Sequence, residues 1–122
     1  MFQKTILAVD NAEMFLNSLK RYLADEPYEL TCVTSGREAL DFLEKSKKTP
    51  DLILMDAEMP EMDGYELTRK IKQRGIRAPI VFITANAEQE DVDRATEAGA
   101  AGFLIKPFRT NQLLEKIKEF IR

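Results

Sequence analysis

Asp10, Asn11, Asp56, Thr84 and Lys106 have the residue types that could hold and transfer a phosphoryl group. Each stands at the end of a short apolar run, and Asp56 is the clearest case. Leu52 to Met55 are four apolar residues in succession, a run that reads as a strand buried on both faces, and it stops at Asp56. Open α/β sheets place their chemistry at the carboxyl ends of such strands. There a carboxylate can attack phosphorus as a nucleophile. Asp10 and Asn11 follow the first apolar run and add oxygen ligands of the kind Mg²⁺ takes, a few protein oxygens with water completing the shell. Lys106 supplies a cation and Thr84 a hydroxyl for the equatorial phosphoryl oxygens. Taken singly, each residue has an ordinary use as a cap, a strand residue or a surface charge. Their joint placement at the ends of successive apolar runs points to one site.

Other chemistries are excluded by residue type. The chain has no histidine, which removes Ser-His and Cys-His nucleophile systems and histidine metal sites. Any phosphohistidine must then belong to another protein. An EF-hand loop counted from Asp56 fails, because its sixth and twelfth residues are Glu61 and Leu67 rather than Gly and Glu. The lone Cys32 cannot form an intrachain disulfide; it reads as a small core residue and fits a reducing, cytoplasmic setting. A net charge of −3 gives no reason to expect nucleic acid or an anionic membrane as a direct partner. No window approaches a membrane span and the start lacks a signal peptide's apolar stretch. One domain over residues 1–122, with no output domain, is the expectation.

The elements that must position these residues alternate five times. Strand one is read over Lys4–Val9 and helix one over Glu13–Ala24, where Phe15, Leu16, Leu19, Tyr22 and Leu23 recur at helical spacing. Strand two follows over Tyr28–Thr34. Ser35 with Glu38 forms a capping-box pattern ahead of helix two, whose inner face is Ala39, Leu40 and Leu43. After strand three, Pro60 keeps a helix from starting at once, and Asp63 caps helix three at Tyr65–Gln73, closed by Gly75. Strand four is Pro79–Ile83, helix four Glu88–Ala98 and strand five Gly102–Ile105. Thr110 is expected to cap helix five. Alternation of this kind predicts a (βα)5 doubly wound parallel sheet of the α/β class, flavodoxin-like, with strand order 2-1-3-4-5. That order makes strands one and three neighbours and brings Asp10, Asn11 and Asp56 together.

The segments ILAVDN, DLILMDAEMPEMDG, IVFITANA and AGAAGFLIKPF resemble those of response-regulator receiver domains of two-component signalling, chemotaxis regulators among them, over essentially the whole chain. The resemblance implies that Asp56 is the phosphoacceptor and that Thr84 and Lys106 contact the phosphoryl group. It implies a Mg²⁺ site of Asp10, Asn11, Asp56 and the backbone carbonyl of Glu58. Ala85, Asn86 and Pro107 take pocket-modulating positions, the Lys106-Pro107 bond is expected to be cis, and Phe103 takes the aromatic switch position coupled to Thr84. Lacking a hydroxyl, Phe103 is expected to populate its inward state before phosphorylation. The implied partners are a histidine kinase or phosphotransfer protein and a downstream target. The implied signalling face is helix four, strand five and helix five, through which a phosphorylation-dependent homodimer could also form.

One position departs from the family pattern. Where the family usually carries a second acid after strand one, this chain has Asn11, whose amide oxygen can coordinate but brings no charge. Two other readings therefore stand beside the phosphoacceptor one. A pseudo-receiver would use the same fold as a constitutive docking module. A flavin mononucleotide carrier would share the fold class, but the acidic loop Asp10 to Glu13 would repel a flavin phosphate.

Overall fold

The computed structural model describes residues 3–121. Strands β1 (Lys4–Val9), β2 (Tyr28–Val33), β3 (Leu52–Asp56), β4 (Ile80–Thr84) and β5 (Gly102–Ile105) form one parallel sheet in the order β2-β1-β3-β4-β5. The helices are α1 (Glu13–Tyr22), α2 (Gly36–Lys45), α3 (Gly64–Gln73), α4 (Gln89–Ala98) and α5 (Thr110–Phe120). This is the flavodoxin-like architecture expected from the alternation.

Alternation along each central strand divides the core in two. Leu7, Val9, Ile53, Met55, Ile80 and Phe82 face α2, α3 and α4, where Ala39, Leu67, Ile71 and Ala95 meet them. Ile6, Ala8, Leu52, Leu54, Val81 and Ile83 face α1 and α5, meeting Leu16, Leu19, Leu113 and Ile117. With both faces covered, β3 and β4 can be apolar throughout, which is why they read as unbroken runs rather than alternating ones. Each fully buried aliphatic side chain contributes about 1.5–3 kcal/mol.

Most boundaries fall where expected, and the differences have local causes. Helix α1 ends at Tyr22, two residues short of the expected Ala24. Strand β2 stops one residue early, at Val33, and β4 runs from Ile80 to Thr84. Ser35 does cap α2, accepting from the Glu38 amide at 3.1 Å. The reciprocal half of the box goes elsewhere: Glu38 Oε1 accepts from the Thr34 amide and hydroxyl at 2.6 and 2.7 Å. Asp63 caps α3 through the Glu66 amide at 2.9 Å. Thr110 is not the cap of α5 but its first residue. Arg109 takes the cap position, and its amide donates to Gln112 Oε1 at 2.7 Å, closing the first turn from inside the helix.

Candidate functional site

The strand register delivers the carboxylates to one edge. Val9 pairs with Met55 across β1 and β3, so the next residues, Asp10 and Asp56, leave the sheet side by side. The Asp10 amide remains tied to β2, donating to the Val33 carbonyl at 3.1 Å. The residue is buried, with 3% exposure. Oδ1 accepts from the Ala12 amide at 2.8 Å and Oδ2 from Lys106 Nζ at 3.0 Å. Both oxygens of this buried carboxylate are thus hydrogen-bonded, as burial of a polar group requires.

Asp56 is part-buried at the end of β3. Burial raises its carboxyl from an ordinary 3.8 to about 6, and the neighbouring Asp10 charge adds to the rise. Lys106 and the Glu58 amide oppose it without cancelling it. Two close carboxylates with too little compensating charge form a donor set that a hard divalent cation would relieve. Asp10, Asp56, the Asn11 amide oxygen and the Glu58 carbonyl fit Mg²⁺ by type. Both Asp10 oxygens already accept one bond, so a cation would use their remaining lone pairs or take the place of the lysine. Asn11 is exposed. Among the described residues no group of three or more His, Cys, Asp and Glu side chains forms a metal cluster. An acid in the place of Asn11 would have supplied a third carboxylate.

The loops around this edge are braced against it. Gly64 opens α3, and its amide donates to the Ala57 carbonyl at 2.8 Å. A Cβ there would overlap the Asp56 carbonyl oxygen, so only glycine lets the start of α3 lie against the backbone of the central acid. Thr84 ends β4, buried, and its Oγ1 accepts from the Asn86 amide at 3.2 Å. Asn86 also reaches across the mouth of the site, where its Nδ2 donates to Glu58 Oε1 at 3.0 Å. Phe103 is half-buried on β5 and stacks on the fully buried Phe82, centroids 6.0 Å apart at 17°. Ala85 and Pro107 border a groove of about 380 Å³ beside Lys106. The Lys106-Pro107 peptide is cis.

The sequence assigns Lys106 to the phosphoryl oxygens at Asp56. Among the described residues its one ion pair is with Asp10. Its ammonium also lies 3.9 Å from the centroid of the Phe15 ring. Helical spacing accounts for Phe15 only as one of the recurring apolar residues of α1. A signal was available: α1 begins three residues after Asp10, so its first turn must lie beside the site. A cavity of about 540 Å³ between Thr5, Thr31, Phe42 and Pro50 opens at the opposite end of the sheet and touches none of these residues.

The model of the response regulator receiver domain matches residues 6–118. The chain belongs to the response regulator receiver domain family. It is 33% identical over 119 residues to the alkaline phosphatase synthesis transcriptional regulatory protein PhoP of Bacillus subtilis, covering 98% of this chain and 49% of that protein. The response regulator SaeR of Staphylococcus aureus is 30% identical, with 94% and 52% covered. The chain thus spans about half the length of these curated relatives. Among solved structures, the receiver domain resembles the Vibrio cholerae chemotaxis protein CheY4, at TM-score 0.92 and 29% identity, covering 98% of this chain and all of that one. It also resembles the receiver domain of the Pseudomonas aeruginosa sensor histidine kinase PA1611, at TM-score 0.87 and 33% identity over 98% of each chain. That structure is described with a magnesium ion coordinated in its active-site cleft.

Proposed function

We propose that this receiver domain takes a phosphoryl group onto Asp56 from a phosphohistidine on a partner kinase or phosphotransfer protein. The observation that carries this reading is Asp56 beside the part-buried Asp10–Lys106 pair at the carboxyl end of the central strand. One Asp56 oxygen attacks phosphorus, the P–N bond to the partner's imidazole breaks, and the nitrogen leaves with the bonding pair. Mg²⁺, when bound, neutralises charge on the phosphoryl oxygens and carboxylates. Asp10, Asn11 and the Glu58 carbonyl orient that charge, while Thr84 and Lys106 donate to the incoming oxygens. The Thr84 hydroxyl accepts from the Asn86 amide and keeps its own proton free to donate, so it can turn toward the phosphoryl oxygens, and Phe103, which already stacks on Phe82, moves further into the space it leaves. Glu58, Ala85, Asn86 and Pro107 border the path by which water would reach the acyl phosphate. The altered face, α4, β5 and α5, is where a downstream protein or a second receiver would bind. No helix among the described residues is long and apolar enough to cross a membrane, and a cytoplasmic location suits a phosphohistidine donor.

Acetyl phosphate or beryllofluoride with Mg²⁺ tests this. Labelling should map to Asp56 and vanish in Asp56→Asn; undiminished labelling of that variant would refute it. Asn11 favours a second reading, a docking module that is seldom phosphorylated because it holds Mg²⁺ weakly. Restoring the charge with Asn11→Asp should tighten Mg²⁺ binding in a titration. Equal affinity in both proteins would remove the argument for the second reading.

A further inference from the structure

Lys106 has four rotatable methylenes and a partly exposed head, so on its own it would extend into water. It does not, and one carboxylate is not its only restraint. The ammonium is caught between Asp10 Oδ2 at 3.0 Å and the face of Phe15 at 3.9 Å. The Phe15 ring is itself held. Phe108 meets it edge-on at 6.0 Å and 89°, and Tyr22 backs Phe108 at 6.4 Å. Helix α1 supplies Phe15 and Tyr22, and the segment after β5 supplies Phe108. These aromatics thus join the two stretches of chain that flank the lysine.

We propose that Phe15 is a positioning residue, whose ring face holds the Lys106 ammonium inside the carboxylate cluster so that it is in place when Asp56 is loaded. The inference rests on the phosphoacceptor reading of Asp56. A ring in this position offers the cation its negative face, and the attraction is strongest for a head group partly removed from water. Packing alone would be served equally by leucine or methionine. The cation contact would not.

Fluorinated phenylalanines at position 15 weaken the face of the ring with little change of shape, so folding is preserved. Beryllofluoride affinity should fall stepwise with fluorination and by about three- to tenfold in Phe15→Leu, with recovery in Phe15→Tyr or Phe15→Trp. In a Lys106→Met background the same replacements should cost nothing further. In the unliganded protein, the Lys106 Hε protons should show an upfield ring-current shift that Phe15→Leu abolishes. Affinity indifferent to fluorination, a Phe15→Leu loss that persists in Lys106→Met, or absence of the upfield shift would overturn the proposal. If the unmodified protein takes no beryllofluoride, the phosphoacceptor reading fails, and the ring-current shift alone decides whether Phe15 positions the lysine.

Discussion

Asp56→Asn should make the folded protein more stable, with a pH dependence that identifies the cause. The carboxyl is raised from 3.8 to about 6 in the folded state. The native protein therefore holds this proton more tightly than the unfolded chain. Stability is greatest below the unfolded value and is lost as pH rises from about 4 through about 6. At pH 7 the full shift corresponds to about 3 kcal/mol against folding. Asp56 is only part-buried, and solvent screening brings the expectation to about 2 kcal/mol. Asparagine keeps the shape and does not titrate. In urea unfolding, the variant should match the parent near pH 4 and exceed it by about 2 kcal/mol above pH 7, an increase of about 5–10 °C in melting temperature. Mg²⁺ should narrow the gap by stabilising only the protein that retains both carboxylates. A variant less stable than the parent at pH 7, or a difference constant from pH 4 to 8, would refute the electrostatic account of the site.

Two further expectations follow from buried contacts around the same edge. Gly64→Ala forces a methyl group onto the Asp56 carbonyl, and nothing flexible is available to yield. It should destabilise by at least about 3 kcal/mol in denaturant titration and weaken beryllofluoride binding, whereas a loss under 1 kcal/mol would contradict the close approach. Thr68 is fully buried on α3 with an Oγ1 that finds no partner among the described residues, so Thr68→Val should be neutral or stabilising by about 1 kcal/mol on the same titration.

The sheet order and the joint placement of the site residues were legible because they follow from local signals: apolar runs, capping residues and the handedness of parallel crossovers. What was not legible depended on which of two neighbours a long side chain would choose. Lys106 follows β5 at a position from which either carboxylate is a plausible partner by spacing, and spacing carries no sign of its ion pair with Asp10 or of its place over a ring contributed from α1. Glu38 was a sound capping-box residue, yet it bonds Thr34, because the extended chain ahead of α2 presents an amide and a hydroxyl together. Thr110 has the better cap side chain, but Gln112 folding back onto the Arg109 amide starts the helix one residue earlier. The Glu58–Asn86 bond joins two loops 28 residues apart, and no periodicity carries that information.

The position of β1 also bears on how the chain is made. It pairs with both β2 and β3, so the first three strands can assemble from fewer than half the residues. As the chain leaves the ribosome, this half can form a contiguous sheet before β4 exists. During that interval the outer edge of β3, an unbroken LILM run, has no neighbour and offers unpaired backbone to any other strand. Synthesis of β4 closes that edge, and a slow stretch of translation between Asp56 and Ile80 would prolong the period in which nascent chains can pair with one another.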